Sequence, residues 1–148
     1  MKIPVLTYHS ISDSKNFSSV SIDNFNKQML FMKKSGFQTY DFKSNNFKKK
    51  FIITFDDGYE DVFVNALPIL LKYNFKAICF FVSDFIGKDN QWDINHKSYN
   101  KLKIMNISQI QKWIDHDMFV GSHTANHKNL KKLSKFKKKF QIYEPINF

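Results

Sequence analysis

Short runs rich in apolar, aromatic and β-branched residues alternate with longer amphipathic segments along this chain. The runs are residues 1–8, 37–40, 51–55, 76–82 and 118–121. Runs of this length without strict polar alternation are typical of strands covered on both faces, as in a parallel sheet. The pattern therefore predicts a sheet whose strands are separated by helices and loops.

Between these runs, apolar residues recur at intervals of three or four, which is typical of helices with one buried face. The first helix is predicted from an N-cap at Ser21 to a stop at Gly36. In the segment 60–74, Pro68 predicts that the regular helix begins near that residue, because an interior proline breaks a helix. A third helix is predicted with Ser108 as its N-cap.

The resulting order is strand, helix, strand, strand, helix, strand, helix, strand. This order predicts an α/β fold, a parallel sheet or barrel with right-handed crossovers. A chain of 148 residues is one domain by length and is long enough to bury a core. The lone Cys79 lies in a predicted strand, so no disulfide framework is expected.

The remaining segments are polar. Residues 12–19 are expected to form a loop of the kind that carries binding residues above a sheet. Residues 83–103 are too long for an ordinary connection and are expected to form a lid or a substrate-facing loop. The Lys- and Asn-rich connection 43–50 is predicted to be solvated, and residues 142–148 show no clear period.

From Lys128 onwards the chain is strongly basic. Apolar residues at intervals of three or four predict a helix that packs one side on the body. These apolar residues are Leu130, Leu133, Phe136 and Phe140.

The formal net charge is +10, with 23 lysines and no arginine. Because Arg is the preferred residue for bidentate phosphate and guanine contacts, we predict no nucleic-acid partner. No apolar run reaches the roughly 20 residues that span a bilayer, and the N-terminal run is too short for a secretory signal. The expectation is a cytoplasmic protein by default, with envelope association left open. Nothing in the pattern indicates an oligomeric state.

Two adjacent carboxylates, Asp56 and Asp57, end the run 51–55 and are followed by Gly58. Ligands and catalytic residues collect at the carboxyl ends of parallel strands. By itself the pair is compatible with a simple turn whose carboxylates cap a helix, or with a site. Since neighbouring side chains on a strand point in opposite directions, a site would use the two carboxylates in different roles.

His123 and His127 follow the run 118–121, at a second strand end. Their spacing places both imidazoles on one face if the turn is helical, and one carboxylate would complete a two-His-one-carboxylate metal site. A divalent ion in such a site acts as a Lewis acid and lowers the pKa of bound water to about 7. The other carboxylate is then available as the general base.

Residues 54–58 (TFDDG) and 123–127 (HTANH) resemble the first two signature motifs of the polysaccharide deacetylases, the NodB-homology domain of carbohydrate esterase family 4. Residues 4–9 (PVLTYH) are similar to the first strand of members that act on poly-N-acetylglucosamine-type polymers. The similarity covers about residues 3–133. It implies a distorted (β/α) barrel, present here in part, and metal-dependent removal of N-acetyl groups from a glycan or polysaccharide.

The resemblance also implies a role for each motif residue. Asp56 corresponds to the catalytic base, and Asp57, His123 and His127 correspond to the ligands of a divalent metal, with zinc as the first expectation. Thr124 would brace the histidine loop through its hydroxyl group. Water attack on the acetamide carbonyl would then give acetate and a free amine.

The chain departs from the family pattern after His127. No His, Trp or Arg follows, although family members carry further motifs there, including a histidine that serves as general acid. We therefore expect a domain that is incomplete at its C-terminus and a last strand with an open edge. The acid would come from His9, from His96, from another subunit or from metal-bound water.

Other interpretations stay open beside an active deacetylase. One is a truncated, non-catalytic fragment that still binds metal or glycan. Another treats residues 115–117 (DHD) as a glycosyltransferase or phosphohydrolase motif, although these residues read more simply as the polar end of a helix. Trp92 is either a sugar-stacking residue or a loop residue that packs on the core, and the Tyr59 backbone N–H is a candidate oxyanion donor.

Overall fold

The computed structural model describes residues 2–14, 16–40, 48–97 and 99–143. Most of the predicted connection 43–50 and the tail 144–148 lie outside these residues.

The strands of the described residues are β1 (Val5–Tyr8), β2 (Ser10–Ile11), β3 (Ser19–Val20), β4 (Gln38–Thr39), β5 (Lys50–Phe55), β6 (Ile78–Phe81) and β7 (Phe119–Ser122). The α-helices are α1 (Ile22–Lys34), α2 (Leu67–Tyr73), α3 (Ile107–Asp115) and α4 (Lys135–Tyr143). A π-helical segment, Val62–Ala66, leads into α2. Short 3₁₀ turns occupy Ser83–Phe85, Gln91–Asp93 and Leu130–Lys132.

The main sheet has the order β1-β5-β6-β7, and all of these pairs are parallel. Strand β4 pairs with the beginning of β5, and β2 and β3 form a small parallel pair of their own. The registers align the carboxyl ends of the strands: Tyr8 lies beside Phe55, and Phe81 lies beside Ser122. The predicted parallel α/β sheet is confirmed, as an open arc across the described residues.

Strand β5 lies at the centre of the core. Phe51, Ile53 and Phe55 are fully buried on one face of the strand, while on the other face Thr54 is buried and Ile52 is partly exposed. The Trp113 ring of α3 packs edge-on against Phe55 at 6.1 Å, and its indole N–H donates to the Phe119 carbonyl at 2.9 Å. Each fully buried side chain of this size contributes about 1.5–3 kcal/mol. The carboxyl end of β5 therefore stands on a rigid support.

The helix boundaries are mostly those predicted. The Ser21 hydroxyl accepts from the Asn24 N–H at 3.3 Å, and Gly36 adopts a φ of +76° just after α1. Pro68 lies in the first turn of α2, where its missing N–H costs no helical hydrogen bond, and the segment before α2 is π-helical. No helix within the described ranges combines the length and the apolar composition needed to cross a membrane.

The predicted cap at Ser108 is wrong. The cap of α3 is Asn106, whose side-chain oxygen accepts from the Gln109 N–H at 3.0 Å, while Gln109 Oε1 accepts from the Asn106 N–H at 2.9 Å. This reciprocal capping box satisfies two backbone donors at once. A cap two residues later would leave those donors without these partners.

The prediction that the basic C-terminal segment buries one apolar face is wrong, because two of the four apolar residues of that face are exposed. Phe136 is 82% exposed and Phe140 is 46% exposed. The reason is a break at Ser134, which starts a new helix by accepting from Lys137 and Lys138, so that the apolar period of the preceding turn does not continue. Among residues 135–142 of α4, whose burial the structure describes, Gln141 is the buried one.

Candidate metal centre and its cavity

The end of β5 separates the two adjacent carboxylates. The Asp56 N–H still pairs with the sheet, donating to the Tyr8 carbonyl at 2.9 Å. The chain then turns sharply, with φ values of +72° at Asp57 and +74° at Gly58. As a result the Asp57 side chain is 6% exposed, while Asp56 is half-buried.

Gly58 is required by space as well as by conformation. A Cβ at this position would lie 2.4 Å from Cδ1 of the buried Phe81 ring. Gly87 provides a matched comparison, since its φ is +72° but a Cβ there would be 3.6 Å from its nearest neighbour.

We expect Gly58→Ala to lower the free energy of unfolding by about 1–3 kcal/mol more than Gly87→Ala does. Both substitutions carry the left-handed backbone cost, but only the first also adds a clash with Phe81. Urea denaturation of both variants measures the difference. Equal losses in the two variants would contradict the steric argument.

The two histidines lie in a loop after β7. The His123 N–H donates to the Phe81 carbonyl at 2.8 Å, which fixes the start of the loop beside β6. The His127 N–H donates to the Thr124 hydroxyl at 2.9 Å, so the predicted bracing by Thr124 is confirmed. The turn is not helical: Thr124 and His127 have φ values of +70° and +58°. Backbone strain of this kind is typical of functional sites.

Two residues that the sequence patterns did not single out hold this loop from outside. Gln141 of α4 accepts twice, from the Ala125 N–H at its carbonyl (3.0 Å) and from the Asn126 N–H at its side chain (3.1 Å). The Asp84 N–H donates to the Ala125 carbonyl at 2.9 Å. These bonds are long-range in sequence, so no local period reveals them.

One oxygen of Asp57 faces both imidazoles. Asp57 Oδ1 lies 3.5 Å from His123 Nε2 and 3.3 Å from His127 Nε2, and one ligand atom from each of the three residues lies within 4.8 Å of the others. Asp57 Oδ1 is buried and has no hydrogen-bond partner among the described residues. Ligands about 2.0–2.1 Å from a tetrahedral zinc ion are about 3.3 Å apart, so the three residues suit such an ion.

The electrostatics of the centre agree with a charged pair. Burial acts to raise the pKa of Asp57, but the close His127 and then the charges of His123 and His9 outweigh it and leave the pKa below its usual value. The same contact with Asp57 raises the pKa of His127, although burial opposes it. Without metal, the negative carboxylate and the protonated imidazole stabilise each other.

This pair predicts how the stability of the metal-free chain depends on pH. A raised His pKa contributes stability that is present below the unfolded value of 6.5 and is lost as the pH rises through the folded value. A lowered Asp pKa contributes stability that is present above 3.8 and is lost as the pH falls through the folded value. The pair is therefore strongest between these two limits.

We expect His127→Gln to destabilise the metal-free chain more at about pH 5.5 than at about pH 8.5. Urea unfolding in the presence of a chelator at both pH values measures this. His116→Gln is the control, since His116 is exposed and follows α3, away from the centre. A loss for His127→Gln that is the same at both pH values would contradict the ion pair.

A cavity of about 390 Å³ opens beside the centre. Its wall is rich in aromatic rings, amides and imidazoles, the groups that hold polar ligands with apolar faces. It is lined by His9, Asn16, Phe17, Ser18, Asp57, Tyr59, Asn90, Trp92, Asp93, His96, Tyr99, Asn100 and His127. The segment 83–103 thus faces the cavity, and both candidate acids, His9 and His96, are in its wall.

Trp92 packs against neighbouring rings, as one of its two predicted roles requires, and sugar stacking by this residue stays a prediction. Its ring packs edge-on against Phe85 at 5.1 Å and lies over the His127 ring at 5.0 Å with an interplanar angle of 34°. It also lines the cavity. The packed indole restricts the orientation of His127, whose Nε2 faces Asp57.

Residues 115–117 have a structural role. Asp115 accepts from Gln111 one turn earlier in α3, and Asp117 accepts from Lys76 at 3.1 Å. Both lie before β7 begins, at the opposite edge of the sheet from the metal centre.

Comparisons with known proteins agree with this geometry. A sequence profile of the polysaccharide deacetylases matches residues 43–146. YxkH of Bacillus subtilis is 32% identical over 142 residues, which is 90% of this chain and 46% of YxkH. The poly-β-1,6-N-acetyl-D-glucosamine N-deacetylase of Staphylococcus aureus is 30% identical over 130 residues, 82% of this chain and 44% of that enzyme. The chain thus spans less than half the length of these relatives.

The fold is also that of solved deacetylase structures. The polysaccharide deacetylase BC0361 of Bacillus cereus superposes with a TM-score of 0.77 at 26% identity, over 98% of this chain and 45% of that protein. This likeness confirms the predicted partial barrel of the deacetylase type. The parallel sheet, the two signature motifs and the profile match lead to one conclusion: this chain belongs to the polysaccharide deacetylase family.

Proposed function

We propose that this chain is a metal-dependent hydrolase that removes N-acetyl groups from a polysaccharide of the N-acetylglucosamine type. The observation that carries the proposal is the convergence of Asp57, His123 and His127 within 4.8 Å beside an aromatic- and amide-lined cavity. The Staphylococcus aureus relative is named for poly-β-1,6-N-acetyl-D-glucosamine, which supports this polymer as the first substrate to test.

In this proposal Asp57, His123 and His127 hold the divalent ion, with zinc the first choice for one carboxylate and two imidazoles. When bound, the ion supplies Lewis-acid polarisation of the acetamide carbonyl and of water. Asp56 is not among these three grouped residues, and it acts as the general base that accepts the proton of the attacking water.

The cavity wall binds and orients the sugar. Burial and then the charge of Asp57 raise the pKa of Tyr59, so its phenol stays protonated and can donate a hydrogen bond. The Tyr59 backbone N–H is the proposed donor to the oxyanion that forms during attack. The leaving amine takes its proton from an imidazole in the cavity wall, and His9 and His96 are the two candidates.

Acetate release tests the proposal. The chelator-treated chain, with and without added Zn²⁺, is incubated with a β-1,6-linked N-acetylglucosamine oligomer, and acetate and free amine are measured by NMR. We expect equal amounts of both products in the presence of Zn²⁺ and none without it. Zinc binding without acetate release would overturn the hydrolase.

That result would favour the second candidate, a non-catalytic chain that binds metal or glycan. One specific observation supports keeping it: residues 128–148 contain no histidine, and the imidazoles of the cavity wall outside the proposed ligand set are those of His9 and His96. His9→Gln and His96→Gln separate the two, because one of them should lower acetate release while leaving zinc affinity unchanged.

A further inference from the structure

A loop of five serines forms one wall of the cavity. The serine loop comprises residues 9–14 and 16–20 of the described chain, and four of its residues line the cavity: His9, Asn16, Phe17 and Ser18. Phe17 is 79% exposed, and its ring lies 5.6 Å from the His96 ring of the opposite wall. The position of this loop therefore sets the width of the cavity.

The segment that follows Gly58 hydrogen-bonds to both backbone groups of Ile11 in the serine loop. The Ile11 N–H donates to Asp61 Oδ1 at 3.1 Å, and the Ile11 carbonyl accepts from Asn65 Nδ2 at 2.7 Å. Asp61 and Asn65 are four residues apart, and the π-helical segment begins directly after Asp61. A π-helical turn inside a helix is frequent at functional sites, because it redirects side chains.

The second oxygen of Asp61 ties the two arms of the serine loop together. Asp61 Oδ2 accepts from the Ser10 hydroxyl at 2.6 Å, and the Ser10 and Ser19 hydroxyls lie 2.8 Å apart. Ser10 is fully buried. Hydrogen bonds to a charged group in such surroundings are the stronger kind, and leaving their donors unpaired is costly.

Burying the Asp61 carboxylate costs free energy, which an apolar side chain at this position would not cost. Burial raises its pKa, although the bonds from Ser10 and from the Ile11 backbone counteract this. A buried carboxylate is tolerated only where several donors surround it. Two of its donors, the Ser10 hydroxyl and the Ile11 N–H, belong to the serine loop, so this carboxylate joins the loop to the segment that follows Asp57.

We propose that Asp61 and Asn65 are positioning residues that fix the serine loop as a wall of the glycan cavity. They act through the loop on sugar binding and not on the metal ligands. The glycan named in this proposal rests on the proposed function. Whether Asp61 and Asn65 fix the serine loop can be measured without catalytic turnover.

The first measurement is amide hydrogen exchange. In Asp61→Ala, which removes both acceptors, we expect the amides of Ile11 and Ser12 to exchange at least about tenfold faster. The Cys79 and Phe81 amides of β6 should keep their rates. Ser10→Ala, a smaller change, should give the same pattern with a smaller effect and decides the question if Asp61→Ala does not fold.

Two further variants complete the comparison. Asp61→Asn should restore slow exchange, because its oxygen can accept from Ile11 and its amide can donate to Ser10. Tyr73→Phe is the matched control, since it removes a 2.9 Å bond between α2 and Asn26 of α1. We expect it to leave exchange in the serine loop unchanged.

The second measurement separates sugar binding from metal binding. For Asp61→Ala and Ser10→Ala we expect a KM for the β-1,6-linked N-acetylglucosamine oligomer several-fold to about tenfold higher, with a zinc Kd within about twofold of the wild type. If the wild type releases no acetate, the Kd of the same oligomer takes the place of KM. The absence of acetate release would then contradict only the proposed hydrolase activity, and an unchanged oligomer Kd in the variants would contradict only the role of Asp61.

Unchanged exchange in the serine loop of both variants would overturn the proposal. So would a zinc Kd that weakens in parallel with the KM, because Asp61 would then act through the metal centre.

Discussion

Asp57→Asn is expected to abolish stoichiometric zinc binding and, with it, acetate release. Asp57 Oδ1 is the atom that both histidines face, at 3.5 and 3.3 Å, and an amide oxygen there carries no charge to balance the ion. Loss of residues that merely support ligands costs about 10–100-fold in metal affinity, so loss of a ligand should cost at least about 100-fold. Competition with a chromogenic chelator measures the zinc Kd.

Asp117→Asn is the matched control for this change. Asp117 is also a carboxylate at a position with positive φ and an ion pair, but it lies at the opposite edge of the sheet beside Lys76. It should bind zinc as the wild type does. If Asp117→Asn lost zinc and Asp57→Asn kept it, the centre would be misplaced and residues 115–117 would be the metal site.

Asp56→Asn is expected to show the opposite division of effects. Zinc affinity should stay within about threefold of the wild type, because Asp56 is not among the three grouped ligand residues. Acetate release should fall by at least about 100-fold, since a positioned general base contributes about 10²–10⁴ to the rate. The measurement is kcat for the zinc-loaded variant, with its metal content determined in the same sample.

The control for Asp56→Asn is Asp23→Asn, which removes an exposed ion pair with Lys27 on α1. Its turnover should match the wild type. Loss of zinc from Asp56→Asn in proportion to its loss of turnover would assign Asp56 to the metal and contradict its role as the base.

The positions of the two carboxylates and the two histidines at strand ends could be predicted from the sequence. The end of a buried strand at Asp56 and Asp57 and the histidine pair after another strand are local patterns, and parallel strands bring their carboxyl ends to one edge. Pro68 likewise marked the start of a helix, because its ring constrains its own backbone.

Other parts of the centre depend on contacts between distant segments. Gln141 holds the histidine loop through a backbone and a side-chain bond, and Asp61 reaches Ser10 across 51 positions. Neither residue differs in pattern from a solvent-facing polar residue. The cap at Asn106 was missed for a related reason: Asn and Ser are equally good caps, and the reciprocal bond with Gln109 decides between them.

The buried face of α4 shows where periodicity misleads. The spacing of Leu130, Leu133, Phe136 and Phe140 is continuous in sequence, but the helix is not. The chain restarts at Ser134, so the two phenylalanines rotate away from the body. A periodic pattern predicts a shared face only when one unbroken helix carries it.

The central claim is that Asp57, His123 and His127 bind one divalent ion. Anomalous diffraction from crystals of the zinc-loaded chain, recorded on both sides of the zinc absorption edge, tests it most directly. We predict one anomalous peak about 2.0–2.2 Å from a carboxylate oxygen of Asp57 and from Nε2 of both histidines. A zinc peak elsewhere in the chain, with these three residues out of contact with it, would contradict the claim.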